Sequence, residues 1–277
     1  YELFTKREWG YGFQPGDLDL VGWAAAAETL RTEGNGFSMA LESSTEASDF
    51  MGEIERQVDG LFFLDHRSGK WKISLARGGY SVPALTEISP QTNCTEVRNF
   101  SRGTWNETSN FVRCKFKDRD NNYQDNYGFA IDTANAIMQG GGTVGTAQPI
   151  VAEEFHPRLK NGPLAASLAF RSLRTLSFPL AKAELVVDKT LWDLTPYQVI
   201  RFTDSVRGIT DLPMRIIKID YGELTRGNII LHLVQDIFVN LSGSFAKPPG
   251  TGWRLPNDLL NAFISDEQLA FPAPRGF

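Results

Sequence analysis

The chain has few of the residues that build metal centres and disulfide frameworks. Its 277 residues contain two cysteines, Cys94 and Cys114, and three histidines. Two cysteines exclude a four-cysteine metal site and cannot form a disulfide framework. We expect two thiols buried as small apolar side chains, with a single disulfide between neighbouring strands as the alternative.

Long apolar runs and a basic excess are also missing. No stretch of about 18 apolar residues occurs, and the start lacks a basic segment followed by an apolar one, so no membrane-spanning segment is predicted. The formal net charge is -5, whereas nucleic-acid binders usually display a basic excess on one face. Any DNA near this protein is therefore expected to pass without specific binding.

Established catalytic patterns are absent from the sequence. There is no Gly-x-Ser-x-Gly elbow, no His-Glu-x-x-His pair and no Cys-His signature. Gly140-x-Gly142-x-x-Gly145 matches the letters of a dinucleotide fingerprint, but that loop functions only after a strand and at the start of a helix. Here it follows a predicted helix, so we interpret it as a flexible interdomain hinge.

Two acidic groupings resemble metal sites. Asp118-x-Asp120-x-Asn122 matches the start of a calcium loop, but Tyr123 stands where the turn glycine belongs and Phe129 where the closing glutamate belongs. We interpret this stretch as a solvated hairpin tip.

The second grouping is Glu153, Glu154 and His156. In an extended strand Glu154 and His156 share a face that Glu153 does not, and two ligands without a third make a poor metal site. We interpret this segment as an exposed strand or an interface edge.

The remaining candidates are isolated residues. Asp17 and Asp19 could form the carboxylate pair of a glycosidase, but their spacing in sequence says nothing of their separation in space. His66 is predicted in a hairpin turn, and His232 on the face of a strand. We therefore predict no catalytic residue, no metal site, no cofactor and no enzymatic activity.

The pattern of apolar residues predicts four successive parts. Residues 1–35 are expected to be the end of an upstream domain, with a short helix over Trp23–Leu30. Residues 36–90 form a small α+β module. Its predicted parts are a strand at Phe37–Leu41, a capping box at Ser43–Glu46, a helix over Ala47–Val58 ended by a left-handed Gly60, and a hairpin of Leu61–Leu64 and Trp71–Leu75.

Residues 91–240 are predicted to be a β-rich domain. Its helices are a short one at Thr133–Met138 and a longer one near 161–177 that begins at Asn161-Gly162-Pro163. Such a run of antiparallel strands must close into a barrel or pack as a sandwich. The predicted strands are Thr95–Arg98, Phe111–Lys117, Tyr127–Ile131, Ala183–Val187, Gln198–Thr203, Arg215–Tyr221 and Ile229–Val234.

Residues 241–277 are interpreted as a connector toward downstream modules, rich in proline and glycine near its end. We expect the chain to be an excerpt of a longer polypeptide. The predicted fold class is α+β and β-rich, with a strand-helix-hairpin module and an antiparallel, barrel-like domain.

Several segments, in their order and spacing, resemble the tail-hub and tip-attachment proteins of tailed bacteriophages. The first is Trp105-Asn-Glu-Thr-x-Asn-x-Val112, which leads into a strand ending at Asp118-Arg119. The others are the turn Asp65–Lys70, the strand segment Leu194–Asp204, and the pair Met214–Gly222 and Ile229–Phe238. Together they span most of the chain from Phe37 to Phe238.

The resemblance implies a tail-tube-like barrel and a structural role in the virion. By that likeness three copies would surround the tail axis at the tip or baseplate, join the tail tube to the tip, and take part in host attachment and DNA delivery. Expected partners are distal tail, tail-tube, tape-measure, and tip or fibre proteins. The hairpin Lys115–Tyr127 and the strands after Ala183 are predicted to border the channel. A tail-associated cell-wall or polysaccharide hydrolase and a carbohydrate-binding module are the alternatives.

Overall fold

The computed structural model describes residues 1–37, 47–139, 149–222 and 227–238. Helices and sheets are mixed, which confirms the predicted α+β class. The helices are α1 (Glu2–Thr5), α2 (Leu20–Glu33), α3 (Ala47–Val58), α4 (Thr133–Met138) and α5 (Gly162–Leu176). Within these residues no helix is both long and apolar enough to cross a membrane.

The strands form three separate sheets. They are β1 (Gly60–Asp65), β2 (Lys70–Leu75), β3 (Glu87–Ile88), β4 (Cys94–Arg102), β5 (Phe111–Asp118), β6 (Gln124–Ile131), β7 (Val151–His156), β8 (Ala181–Asp188), β9 (Val199–Asp204), β10 (Ile209–Asp220) and β11 (Asn228–Gln235). The sheet orders are β1-β2, β3-β9-β10-β11-β8-β4 and β6-β5-β7.

The N-terminal layer packs α1, α2 and α3 on the β1-β2 hairpin around an aromatic core. Phe4 lies at its centre, with ring centroids 5.0 Å from Trp23 and 5.1 Å from Phe62. The Trp23 indole N–H donates to the Trp71 carbonyl over 3.1 Å, which ties α2 to the hairpin. The predicted helix at Trp23–Leu30 is thus the middle of a longer helix, which ends at the left-handed Gly34.

The junction between α3 and β1 differs from the prediction. Asp59, with a φ of 48°, is the left-handed residue that ends α3, so the prediction of Gly60 in that role is wrong. Gly60 begins β1, where a Cβ would stand 3.1 Å from the Ser74 carbonyl oxygen of the paired strand. The lack of a side chain at Gly60 therefore lets β1 and β2 approach each other closely. The predicted capping box and most of the Phe37–Leu41 strand lie outside the described residues.

The six-stranded sheet curls into a half-barrel, as the predicted barrel-like domain requires. β3 and β4 stand at opposite ends of the strand order, yet they are consecutive in the chain. A tight turn joins them, in which the N–H groups of Asn93 and Cys94 both donate to the Ser89 carbonyl over 3.1 Å. The interior is filled by buried side chains from most of the strands, among them Ile88, Leu185, Ile200, Phe202, Met214, Ile216 and Leu231.

The three-stranded sheet lies between β4 and β8 in sequence. β4 and β8 are paired neighbours, and Arg102 lies opposite Ala181, so the intervening residues leave and re-enter the half-barrel at adjacent positions. In the insertion β5 pairs antiparallel with β6 and parallel with β7. Helix α5 covers one face, where its buried side chains meet those of β5 and β6: Leu164, Ala165, Leu168, Ala169 and Leu173 against Val112, Cys114, Phe116 and Ala130.

A polar junction fastens the N-terminal layer to the other two. Arg215 is buried on β10, and its guanidinium donates to Asp236 over 2.6 Å and 2.7 Å, to the Tyr197 carbonyl over 2.7 Å and to the Arg77 carbonyl over 3.1 Å. Asp59 at the end of α3 pairs with Arg171 of α5 over 2.8 Å. The three layers are therefore joined through ion pairs and backbone carbonyls.

The predicted domain bounds remain predictions. In the described residues, α2 from the first predicted part packs on β2 from the second. The range 91–240 holds most of the half-barrel and the whole three-stranded sheet. The predicted connector at 241–277 lies outside the described residues.

Candidate assembly surface

Among the described residues, no helix or strand covers the face of the three-stranded sheet opposite α5. Strand alternation directs Phe111, Arg113, Lys115 and Lys117 of β5 onto this face, because Val112, Cys114 and Phe116 point to the helix. Strand register then builds three rows across it: Ile131-Phe111-Val151, Phe129-Arg113-Glu153 and Tyr127-Lys115-Phe155. We name these nine residues the open face.

One end of the open face is apolar. Phe129 is 66% exposed and Ile131 is 57% exposed. The Phe111 and Phe129 rings stack with centroids 6.2 Å apart and an interplanar angle of 18°. Ile150, which precedes β7, and Met138 near the end of α4 are also exposed near this end of the sheet. Contiguous apolar surface of this kind marks interaction sites.

The other end carries paired charges interleaved with aromatic rings. Arg113 pairs with Glu153 over 3.0 Å, and its guanidinium stands 5.1 Å from the centroid of Tyr127. The Asp125 carboxylate pairs with the Lys117 ammonium group over 2.6 Å and with the Lys115 ammonium group over 3.0 Å. Hydrogen bonds from those two ammonium groups lower the pKa of Asp125. The charged groups at this end are thus held in place by contacts within the chain.

Two free edges of the larger sheets, β4 and β6, differ in how well they are protected from pairing with a strand of another chain. β4, at one edge of the half-barrel, has register shifts near both ends and a left-handed Asn99 with a φ of 48°. Bulges of this kind blunt an edge against pairing with another chain. β6 pairs with β5 in unbroken register along its whole length, and no described residue pairs with its outer side. β6 is therefore an unprotected edge beside the open face.

The acidic group near β7 separates as the strand alternation predicts. Glu154 and His156 converge on the helix-covered side, with Glu154 Oε2 3.6 Å from His156 Nε2. Burial opposes ionisation of Glu154, but His156 and a 2.8 Å hydrogen bond from Ser172 outweigh it and lower its pKa. Glu153 points the other way and belongs to the open face. The buried His156 and the half-buried Glu154 therefore form a structural pair beneath α5.

The remaining acidic candidates stabilise turns. Asp118 accepts from the Asp120 N–H over 3.1 Å and from the Asn126 side chain over 2.8 Å, which confirms the hairpin tip. Asp17 accepts from the Gln14 N–H over 2.9 Å, and Asp19 caps α2. Both carboxylates therefore have local structural partners. In the described ranges no group of three or more His, Cys, Asp or Glu side chains could hold a metal ion.

The histidines and cysteines also lie where structural roles are expected. His66 occupies the β1-β2 turn, with its ring centroid 4.6 Å from that of Tyr221 on the half-barrel side. His232 is half-buried on β11, opposite Glu184 of β8. Cys94 and Cys114 are free and buried, which confirms the prediction of two buried thiols. The glycine motif at 140–145 lies outside the described residues.

The exposed apolar residues of β6 were not predicted from the sequence. The hairpin was predicted with a solvated tip, whereas one face of it also combines charge with the exposed side chains of Tyr127, Phe129 and Ile131. The signal in the sequence is the alternation of these large residues with Gly128 and Ala130. Small side chains mark the side on which a helix packs closely, so the large ones must face away from it.

Comparisons with known proteins give structural neighbours of low sequence identity. No protein-family model and no curated protein sequence matches the chain. A chain in the virion of a native gene transfer agent particle superposes with a TM-score of 0.49 and 13% identity, covering 68% of this chain and 38% of that one.

Two bacterial tail proteins give comparable values. The 43 kDa tail protein of prophage MuSo2 from Shewanella oneidensis gives a TM-score of 0.43 and 16% identity over 71% of this chain and 56% of that one. The tail protein from Neisseria meningitidis MC58 gives 0.49 and 13% over 77% and 66%. The chain thus spans between 38% and 66% of the length of these solved chains.

Proposed function

We propose that this protein is a structural subunit of a tailed-bacteriophage tail and acts at the tail tip or baseplate hub. Copies of the chain form a ring of three around the tail axis, which joins the tail tube to the tip. The ring contacts distal tail, tail-tube, tape-measure and tip or fibre proteins. It takes part in host attachment and lets DNA pass without specific binding.

The open face carries this proposal. A sheet covered by a helix on one side and left apolar and aromatic on the other is an incomplete layer, because exposed apolar area of this kind is normally buried by a partner. The charged end holds ordered ion pairs, such as Arg113 with Glu153 over 3.0 Å. Charges fixed in this way favour a partner whose own charges lie at matching positions. Assembly is the function that this surface supports best.

The motifs that resemble tail-hub proteins supply central parts of both larger sheets. The Trp105–Val112 segment leads into β5, the middle strand of the insertion, and Leu194–Asp204 contains β9 of the half-barrel. Met214–Gly222 and Ile229–Phe238 contribute to the paired strands β10 and β11. The resemblance therefore concerns the residues that determine this architecture.

A channel for DNA must run between copies. The interior of the half-barrel is filled by Leu185, Ile200 and Phe202, each fully buried, so it leaves no lumen. A ring of copies encloses a passage at its centre, which the filled half-barrel of the described residues does not provide. The predicted channel border at Lys115–Tyr127 and along the strands after Ala183 belongs to this proposal.

Imaging of intact particles tests the proposal. Averaged maps of particles that carry this protein should contain three copies around the tail axis between tube and tip. A map with a single copy, or with none in the tail, would refute it. Two assays on purified chain address the alternatives: a cleared zymogram band would favour the hydrolase, and glycan-array binding by a monomer would favour the carbohydrate-binding module.

A further inference from the structure

The N-terminal layer contains an apolar cleft of about 410 Å³. It runs along α2, and its walls include Leu20, Trp23, Ala27, Leu30, Ile54 and Phe62. Eight of the 14 residues of α2 are apolar, yet Ala26 is the one that is buried. Most of the apolar surface of this helix is therefore not covered within the described residues.

The cleft and the apolar end of the open face are both apolar, and one recedes where the other projects. One is concave and lined by small alanines and larger aliphatic and aromatic side chains, and the other projects two large exposed side chains, Phe129 and Ile131. They lie on different layers of one molecule. An apolar patch that fits a pocket elsewhere on the same chain makes a head-to-tail contact, which closes into a ring where the rotation allows.

Residues 1–37, which include α2, and the open face with its neighbours also carry net charges of opposite sign. Residues 1–37 hold six acidic and three basic side chains. The open face and its neighbours on β5 and β6 present Arg113, Lys115 and Lys117 against Asp125 and Glu153, which leaves an excess of positive charge. Such a pairing favours this docking over contact between two copies of the same surface.

We propose that Phe129 and Ile131 of one copy insert into the α2 cleft of the next copy. This inference rests on the proposed ring and names the two surfaces that form it. The contact is heterologous: each copy gives its apolar end to one neighbour and its cleft to the other. Phe129, the most exposed aromatic side chain of the open face, serves as the anchor, as buried aromatic residues do in other interfaces.

Two variants test the two sides separately in the full chain. Phe129→Asp places a charge on the projecting side. Ala27→Trp fills the cleft from a position that is exposed in the single chain.

The matched controls are Val206→Asp and Ala25→Trp. Val206 is 86% exposed in the β9-β10 turn, and Ala25 is exposed on α2 but does not line the cleft. Thermal melting checks that each variant is folded, and Ile131→Asp replaces Phe129→Asp if that variant is not.

Sedimentation velocity and native mass spectrometry should find trimers for the parent chain and for both controls. Each test variant should be monomeric, with association weakened about 30-fold or more, the effect of removing an interface anchor. A 1:1 mixture of the two test variants should form a dimer. In that dimer the intact apolar end of Ala27→Trp meets the intact cleft of Phe129→Asp, and no further copy can add.

The other outcomes separate the two proposals. Trimers from both test variants would overturn the cleft docking and leave the ring intact. Loss of trimers with Phe129→Asp but not with Ala27→Trp would indicate a different partner surface and overturn it too. The absence of a dimer in the mixture would do the same. A parent chain that stays monomeric at high concentration would count against the ring itself.

Discussion

Gly128 of β6 lies against the backbone of Ala165 in α5. A Cβ built on Gly128 would stand 2.6 Å from the Ala165 carbonyl carbon and 2.7 Å from its Cβ. No side chain can occupy that space without moving the helix, because backbone atoms form the contact. Helix α5 therefore approaches the sheet at the one position of β6 that has no side chain.

We expect Gly128→Ala to destabilise the protein by about 1–3 kcal/mol, the usual cost of overpacking a tight core. Urea denaturation followed by circular dichroism measures this free energy of unfolding. Gly52→Ala is the control, because Gly52 is exposed in α3 and a Cβ at that position would have no neighbour within 4 Å. Alanine there should stabilise the helix by about 0.4–1 kcal/mol. Equal effects of the two changes would contradict the contact.

Removal of Arg215 should be among the most destabilising single substitutions. Arg215→Met leaves the buried Asp236 carboxylate without its cationic partner, and loss of one partner from a buried pair costs about 3–5 kcal/mol. Arg98→Met is the control, because the Arg98–Glu96 pair on β4 is exposed on both sides and should change the unfolding free energy little. Similar midpoints of chemical denaturation for the two variants would argue against the junction described above.

Asp65 should make stability depend on acid pH. Burial opposes its ionisation, but hydrogen bonds from Lys72, from the Arg67 backbone and side chain, and from Ser68 outweigh it and hold its pKa well below the usual range. A lowered folded-state pKa stabilises the protein above the unfolded pKa of about 3.9, and that stabilisation is lost as the pH falls further.

The parent chain should therefore lose more stability between about pH 4 and pH 2 than Asp65→Asn does. The measurement is the thermal midpoint across that range. Asp120→Asn, at a side chain that is 89% exposed, should follow the parent curve. An Asp65→Asn curve with the same slope as the parent would show that the cluster around Asp65 does not hold its charge.

Both thiols should be unreactive in the folded protein. Burial raises the pKa of Cys114 to about 12 and also raises that of Cys94, and the thiolate is the reactive form. A thiol reagent at pH 8 should modify neither residue in the folded protein and both after denaturation. A Val206→Cys variant, at a largely exposed position, should gain one rapidly reacting thiol. Rapid reaction of either native cysteine would contradict its burial.

Local signals predicted much of the secondary structure. The sequence Asn161-Gly162-Pro163 indicated a helix start, and the Asn161 side chain accepts from the Leu164 N–H over 3.4 Å. The predicted bounds of α4 match those observed. Such elements depend on neighbours within four residues, which a single sequence contains.

Local sequence signals could not predict which distant strands pair with each other. β7 lies parallel to β5, with Val151 opposite Phe111, across an intervening strand and helix. Alternation indicated which side chains of β6 share a face, but which face lacks a covering layer depends on how α5 folds back. The Gly60 prediction failed for a related reason, since tertiary contact with Ser74 determines its place.

The adjacency of Arg102 and Ala181 makes the fold modular. Since the chain departs from the half-barrel and rejoins it at hydrogen-bonded neighbours, a short hairpin turn would satisfy the same geometry. Selection can thus reshape, exchange or delete the inserted three-stranded sheet while the strands on either side keep their register. One curled scaffold can in this way carry insertions of different size and surface chemistry.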